Sequence, residues 1–250
     1  MNKAGRYLIA GILSFASLSI LYGQSGSIVR EPVSPVKIIW MSDTSGTRIK
    51  HAEYLLNPGI GQAVLSGVKL CYLINKSDQK ASVILDFGTE LQGAIQIVTG
   101  MTGSKKPVKV RIRLGESLSE TMSEIDSTGT ATNDHAMRDF ELILPWLGKI
   151  EAGNSGFRFL KIDLMGENST ACIQEIRAIS IYRDIPWEGS FKCNDDLLSK
   201  IWQTGAKTAH LNMQEYMWDG IKRDRLVWIG DMHPEVSTIL SVFGSNEVIT

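Results

Sequence analysis

Apolar and polar residues alternate with a period of two along most of the chain between residues 36 and 183. The alternation is clearest from Val108 to Leu114, where valine, isoleucine and leucine occupy one face and cations the other. Such a pattern is typical of strands with one buried face. It predicts eight strands, over residues 36–40, 68–74, 82–87, 94–99, 108–114, 138–144, 157–165 and 173–182.

The predicted strands follow one another without an intervening helical pattern. Glycine-rich and polar links, such as residues 100–106 and 153–156, separate them. Many short strands in this arrangement favour an antiparallel β-sandwich of the jelly-roll type, which we expect over residues 24–187. The polar stretch 117–134 is rich in Ser, Thr and Glu and predicts a long surface loop.

The hydrophobic period changes to that of a helix near residue 190. Asn194 is a candidate N-cap, and carboxylates in the first turn, from Asp195 and Asp196, favour the helix dipole. The helix is expected to continue to about Tyr216. Apolar or small residues recur on one face at Leu197, Leu198, Ile201, Trp202, Gly205 and Ala209.

A second helix is predicted after residue 233. Pro234 suits a first helical turn, and Gly244 suits the position just after a last turn. Its apolar stripe consists of Val236, Ile239, Leu240 and Phe243. Some sixty residues rarely form an independent helical domain, so we expect these faces to pack on the sandwich or on further helices.

The first 23 residues have the layout of a secretory signal peptide. Lys3 and Arg6 precede an apolar run over residues 7–21, and Gly23 is a suitable cleavage position. The alternative is a buried N-terminal helix. Export to the periplasm or the cell exterior is therefore expected. No later stretch approaches the roughly 18 apolar residues of a membrane span, so stable membrane insertion is not expected.

Composition and charge narrow the possible partners. The chain is 43% hydrophobic and 21% charged, which is typical of a globular protein. Without residues 1–23 it carries 24 basic against 27 acidic residues, a net charge of −3. A mildly acidic surface gives no reason to expect nucleic acid as a partner.

The three cysteines, Cys71, Cys172 and Cys193, are too few and too widely spaced for a disulfide framework or a zinc site. Cys71 and Cys172 border apolar runs and are expected in the core, although one bridge stays open. No metal-ligand spacing, nucleotide-binding loop or serine-hydrolase motif is found. We therefore expect no cofactor and no metal.

The chemistry-bearing residues concentrate between the two predicted helices. Asp219, Asp224 and Asp231 fall within thirteen residues, interleaved with cations and aromatic rings. Carboxylates accept hydrogen bonds from sugar hydroxyls, and tryptophan rings offer flat apolar faces to sugars. The alternative is a solvated ion-pair network. Trp202 and His233 have simpler structural explanations, as a core residue and a helix-start residue.

The run from Asp219 to Asp231, Asp-Gly-Ile-Lys-Arg-Asp-Arg-Leu-Val-Trp-Ile-Gly-Asp, resembles the signature of bacterial α-L-rhamnosidases with an (α/α)6 barrel. That signature begins Asp-Cys-Pro-Gln-Arg, continues with one or two acidic residues, and ends Arg-Leu-x-Trp-x-Gly-Asp. Two upstream segments, residues 85–93 and 156–162, are similar to strand motifs of the β-sandwich that precedes this barrel. The resemblance implies that residues 188–250 form the first hairpin of an incomplete barrel.

The resemblance also implies roles for individual residues. Asp219 and Asp231 would hold rhamnose hydroxyls, while Arg223 and Trp228 would line the sugar pocket. Asp224 would be the general acid that protonates the glycosidic oxygen. Two departures stand out: many family members have Glu at the position of Asp224, and residues 220–222 are Gly-Ile-Lys where Cys-Pro-Gln is common.

The activity that the resemblance implies is hydrolysis of terminal α-L-rhamnosyl groups with inversion, in which a second carboxylate activates water. In the family that carboxylate lies much later in the barrel, so the chain alone is expected to be inactive. The alternative is a non-catalytic carbohydrate-binding or structural sandwich. Its aromatic residues, Trp40, Phe87, Trp146, Phe157 and Phe159, all suit a core. The substrate beyond rhamnose and the oligomeric state stay open.

Overall fold

The computed structural model describes residues 26–77, 79–101, 107–125 and 137–249. The predicted signal peptide lies outside this range, as does the second half of the predicted loop 117–134, residues 126–134. Within the described residues, each helix is too short or too polar to cross a bilayer. The architecture is mainly antiparallel β-structure followed by two helices.

Among the described residues, nine strands form the β-region. They are β1 (Ile28–Val33), β2 (Lys37–Met41), β3 (Ile49–Lys50), β4 (Cys71–Ile74), β5 (Ser82–Thr99), β6 (Val108–Gly115), β7 (Asp139–Leu144), β8 (Gly148–Leu164) and β9 (Thr170–Arg183). A 3-10 helix occupies Ala52–Leu56, and a short helix, α1, occupies Leu118–Met122. Every strand pair is antiparallel, in the order β3-β4-β9-β5-β8-β6-β7, with β1 on β9 and β2 on β5.

The long strands change partners along their length. The first part of β5 pairs with β2 and β8, whereas its last part, from Gly93 onwards, pairs with β8 and β9. Between these parts the register shifts, because Asp86 faces Phe159 and Leu91 already faces Phe157. Residues 87–90 therefore form a bulge, which we call the β5 bulge.

Several strand predictions need correction. Residues 82–87 and 94–99 belong to one strand, because backbone pairing continues past the polar residues of the β5 bulge. Strand β8 begins at Gly148, nine residues before the predicted start at residue 157. Strands β1 and β3 were not predicted. Part of the predicted loop is helical, since the Ser117 side chain accepts a hydrogen bond from the Glu120 amide and starts α1.

The core follows the predicted alternation on one face of β6, where Val108, Val110, Ile112 and Leu114 are all buried. The opposite face is also covered in part: Arg113 is buried and donates to Asp163 at 2.9 Å. The five aromatic residues that were predicted to lie in the core fall into two groups. Phe87, Phe157 and Phe159 are buried, whereas Trp40 and Trp146 are 42% and 57% exposed, so their assignment to the core is wrong.

The cysteines agree with the core prediction. Cys71 and Cys172 are buried and Cys193 is half-buried, and none of the three is bridged. Desolvation raises the pKa of the Cys71 thiol to about 12, which keeps it protonated and unreactive near neutral pH. A thiol of this kind acts as a small apolar side chain.

The two C-terminal helices are α2 (Asp196–Asn212) and α3 (Ile229–Phe243). Asp195, not Asn194, caps α2: its carboxylate accepts from the Leu197 and Leu198 amides at 2.8 and 3.3 Å. Helix α2 ends four residues before Tyr216. Helix α3 begins at Ile229, so Pro234 lies inside it and not in its first turn. Gly244 ends α3 with a φ of 67°, as predicted.

The helices pack together around a small apolar cluster of Ala206, Met213, Met217, Ile239, Val242 and Phe243, with Trp202 against it. Part of the predicted α2 stripe stays outside this cluster, because Leu197, Leu198 and Ile201 are 65%, 49% and 57% exposed. These three residues of the stripe therefore pack neither on the sandwich nor on α3.

Arg183, the last residue of β9, joins the helices to the sheet. Its buried guanidinium donates to the carbonyls of Gly26 and Gln214 and pairs with Glu247. The Arg183 carbonyl in turn accepts from Nε2 of His210 in α2, at 2.6 Å. These bonds fix the orientation of the helical hairpin relative to the last strand.

Candidate active site

The chain between α2 and α3 forms a closed loop over residues 219–226, here called the acidic loop. The Asp219 amide donates to the Leu226 carbonyl at 3.0 Å, and the Leu226 amide donates back to Oδ1 of Asp219 at 3.0 Å. Just before it, the Trp218 amide donates to the carbonyl of Asn212, the last residue of α2, at 2.9 Å. The half-buried Asp219 is thereby held at the end of α2.

Arg225 fastens the acidic loop to the sandwich. Its guanidinium donates to the Ile221 carbonyl within the loop, at 2.7 and 2.9 Å, and to the Asn154 carbonyl on β8, at 2.7 Å. It also lies 5.0 Å from the ring centre of Trp218, a cation–π distance. Arg225, to which no role was assigned from the sequence, thus positions its neighbours.

Asp224 and Arg225 adopt left-handed backbone conformations in succession, with φ values of 62° and 54°. Residues other than glycine are uncommon there, and aspartate tolerates it better than arginine does. The side-chain bonds of Arg225 offset this cost. The turn places the carboxylate of Asp224 3.8 Å from Nε of Arg223, whose side chain is 83% exposed.

Trp228 and Asp231 lie at the start of α3. Trp228 is the N-cap residue and is about half exposed, and Asp231 occupies the first turn, where the helix dipole favours a carboxylate. One turn further on, burial raises the pKa of Glu235, and the charges of Asp231 and Asp219 raise it further. Asp219 and Asp231 thus approach the same third carboxyl group, which sequence reasoning missed.

Lys222 links the acidic loop to the other side of the site. Its ammonium group donates to Glu116 at 2.7 Å and to Glu120 at 2.8 Å. These partners outweigh the opposing effect of burial and raise the pKa of Lys222. Lysine at this position, one of the two departures from the family signature, therefore has a structural role: it pairs with carboxylates that follow strand β6.

A cleft opens at this junction between the sandwich and the helical segment. One hollow, of about 290 Å³, is lined by Asp219 and Arg223 of the acidic loop and by Glu90 and Glu116 of the β-region. Such a volume is close to the lower limit for small-molecule sites. Among the described residues, no group of three or more potential ligands is arranged to hold a metal ion.

The structure brings only some of the predicted site residues together. Asp219 and Arg223 share the cleft, and Asp219 and Asp231 share the neighbourhood of Glu235. Trp228 lies instead at the exposed start of α3, and Asp224 occupies the turn beside Arg223. Glu90 was missed as a site residue although it belongs to the quoted motif over residues 85–93, because a single glutamate in a strand pattern carries no sign of what it faces.

Comparison with known families matches residues 186–250 to the bacterial alpha-L-rhamnosidase 6 hairpin glycosidase domain. The match covers both helices and the acidic loop. A curated relative, an alpha-L-rhamnosidase of Formosa agariphila, is 27% identical over 160 residues, which is 60% of this chain and 16% of the relative.

Solved structures show the same fold. A Klebsiella oxytoca rhamnosidase with rhamnose bound aligns with a TM-score of 0.66 at 19% identity, over 88% of this chain and 42% of its own. A GH78 family rhamnosidase of Bacillus sp. GL1 aligns with a TM-score of 0.58 at 22% identity, over 78% of this chain and 19% of its own. The chain thus spans less than half the length of these relatives.

The fold, an antiparallel β-region followed by a helical hairpin, is shared with these two solved rhamnosidase structures. The matched domain and the curated relative are more specific. Residues 186–250 are similar to the six-hairpin glycosidase domain of bacterial alpha-L-rhamnosidases, and 60% of the chain is similar to part of the curated alpha-L-rhamnosidase.

Proposed function

We propose that this chain contributes the acid side of an enzyme that hydrolyses terminal α-L-rhamnosyl groups of glycosides or polysaccharides with inversion of configuration. The observation that carries the proposal is the domain match over residues 186–250, which includes every residue from Asp219 to Asp231. The cleft beside Asp219 and Arg223 supports it, since it offers a sugar both a carboxylate and a cation.

Each side chain has a distinct role in this proposal. Asp219 and Asp231 accept hydrogen bonds from rhamnose hydroxyls, and Arg223 and Trp228 line the pocket. Asp224 protonates the glycosidic oxygen as the bond to rhamnose breaks. Inversion requires a second carboxylate roughly 6.5–9.5 Å away, which deprotonates water on the opposite face of the sugar. We assign no residue of this chain to that second role.

The 250-residue chain is accordingly expected to bind rhamnosides without hydrolysing them. Incubation with an aryl α-L-rhamnoside should release no more phenol than a blank without protein. Robust turnover that Asp224→Ala abolishes would contradict the proposed inactivity while supporting Asp224 as the acid.

Sugar binding tests the other half of the proposal. Saturation-transfer NMR should detect methyl α-L-rhamnoside and should detect it more strongly than methyl α-L-fucoside, which differs in hydroxyl configuration. Asp219→Asn should weaken the signal, because an amide replaces an acceptor with a donor. Asp43→Asn, remote from the cleft, is the matched control. No difference between the two sugars would contradict a rhamnoside site.

We also propose that residues 1–23 direct export and are removed, so that the mature protein begins at Gln24. Mass spectrometry of protein from the exported fraction should give this N-terminus. Recovery of the chain in the cytoplasm with Met1 or Asn2 still present would contradict the proposal.

A further inference from the structure

The β5 bulge brings strand β5 into contact with α2. It interrupts pairing with β8 and turns Thr89 and Glu90 out of the sheet. Lys207 of α2 donates to the hydroxyl of Thr89, so the bulge and the helix face each other directly. A bulge commonly re-aims side chains in this way beside a functional site.

A second hollow, of about 490 Å³, lies between the β5 bulge and α2. It shares Glu90, Glu116, Thr208 and Leu211 with the smaller hollow that contains Asp219 and Arg223. We call the two together the junction cleft. Its walls come from the sandwich on one side and from α2 and the acidic loop on the other.

Glu90 and Glu116 occupy the centre of the junction cleft, where the two hollows meet. Burial raises the pKa of Glu90 to about 7, and a hydrogen bond with Glu116 raises it too, against the opposing charges of Lys222 and Lys207. Near neutral pH the Glu90 carboxyl can therefore donate a hydrogen bond, and the carboxyl oxygens of both glutamates can accept one. Sugar hydroxyls, which both donate and accept, match such a pair.

Most of the side chains that line the larger hollow end in charges, hydroxyls or amides, among them Arg158, Lys200, Gln203 and Thr204. Leu211 and the carbon atoms of these side chains supply apolar surface between the polar groups. A flat aromatic aglycone would displace water from these polar groups without forming hydrogen bonds to them, which is costly. A polyhydroxylated group can bond to them instead.

We propose that the junction cleft is a subsite for the sugar unit to which the rhamnosyl group is attached, with Glu90 and Glu116 as its specificity-determining residues. The inference rests on the proposed function, because it takes Asp219 and Arg223 to mark the rhamnosyl end of the cleft. It commits the substrate to a rhamnosylated saccharide and excludes an aromatic rhamnoside as the best ligand.

The test compares affinities of the 250-residue chain for three kinds of ligand. These are methyl α-L-rhamnoside, the positional isomers of α-L-rhamnosyl-D-glucose, and phenyl α-L-rhamnoside, each titrated by ligand-observed NMR. At least one disaccharide should bind about tenfold or more tightly than the methyl glycoside, as expected for one or two added hydrogen bonds. The phenyl glycoside should show no such gain.

Two variants test whether Glu90 and Glu116 cause the tighter binding of the disaccharide. Glu90→Gln combined with Glu116→Gln should remove most of the disaccharide advantage, measured as the ratio of the affinities for the disaccharide and for methyl α-L-rhamnoside. Glu120→Gln is the matched control, because Glu120 bonds to the same ammonium group of Lys222 but does not line the cleft. The Glu120→Gln variant should still bind the disaccharide more tightly than methyl α-L-rhamnoside. Near-ultraviolet circular dichroism should confirm that each variant is folded.

The outcomes separate the two proposals. If methyl α-L-rhamnoside binds but no disaccharide binds more tightly, or if the advantage survives the double substitution, the subsite is overturned and the proposed function stands. If the phenyl glycoside gains as much as the disaccharides, the saccharide preference is wrong. If none of the rhamnosides binds, the proposed function and the subsite both fall.

Discussion

Arg225 offers a direct test of how the acidic loop is held. Arg225→Met keeps an apolar stem of similar length and removes the guanidinium that bonds to Ile221 and Asn154. Hydrogen bonds from a charged group contribute about 1.5–3 kcal/mol each, and the contact with Trp218 about 0.5–2 kcal/mol. Burial lowers the pKa of Arg225, so desolvation offsets part of this gain.

The net cost of Arg225→Met is therefore expected to be about 2–4 kcal/mol, and it should fall on the acidic loop more than on the sheet. Hydrogen exchange measures this cost at two amides. The Asp219 amide donates to the Leu226 carbonyl, and the Leu226 amide donates to the Asp219 carboxylate. Since about 1.4 kcal/mol corresponds to a factor of ten, these amides should exchange roughly 30 to 1,000 times faster, or lose protection altogether.

Arg223→Met is the matched control, because the Arg223 side chain is 83% exposed and lies 3.8 Å from Asp224. An exposed pair of this kind contributes less than about 1 kcal/mol, so the control should leave the same amides protected. Strand β8 amides provide an internal reference in both variants. Unchanged protection in Arg225→Met, or equal loss in the two variants, would refute the anchoring role of Arg225.

Two further predictions concern the frame around the site. Gly93→Ala would place a Cβ atom 1.9 Å from the Ile179 carbonyl oxygen, so it should lower the free energy of unfolding by more than about 3 kcal/mol in urea titrations. Gly205→Ala in α2 is the control: its Cβ atom meets no atom within 4 Å, so the free energy of unfolding should rise by up to about 1 kcal/mol. Burial lowers the pKa of His210, so the unfolded chain binds its proton more readily. The stability that this provides is complete above about pH 6.5 and is lost as the pH falls toward the lowered value. Between about pH 7.5 and pH 5 the parent protein should lose more thermal stability than His210→Gln, and equal losses would contradict this assignment.

Hydrophobic periodicity predicted the class of fold because the core uses it directly. Valine and isoleucine recur every second residue in β6, and one face of that strand is buried throughout. Strand β1 was missed because its sequence, Ile-Val-Arg-Glu-Pro-Val, pairs with β9 at an edge and stays largely exposed. A strand that is exposed on both faces does not need alternating apolar residues, so its sequence lacks the pattern that predicts a strand.

Helix ends were harder to predict than helix positions. Asn194 and Asp195 are both good N-cap residues, and the choice between them depends on which side chain reaches the Leu197 amide. Pro234 is more common in a first turn, but α3 begins earlier because the acidic loop ends at Leu226 and frees the chain to turn at Trp228. Local preference could not reveal a boundary set by a loop closure.

The candidate site was also predicted only in part from the sequence. The spacing of Asp219, Arg223 and Asp231 was visible in the sequence, because all three lie on one short segment. Glu90 and Glu116 lie more than a hundred residues before the acidic loop, and their approach depends on how β5, β6 and α2 pack. A single sequence contains no record of that approach.

The continuity of β5, β8 and β9 has a consequence for redesign. Each of these strands takes part in more than one pairing, so the hydrogen-bonded frame resists sliding of one part against another. The four residues of the β5 bulge contribute no rung to the ladder with β8, and two of them, Thr89 and Glu90, have side chains outside the core that can be exchanged without moving the strand register. Libraries confined to Thr89 and Glu90 are therefore a direct route to altered ligand preference in an otherwise unchanged scaffold.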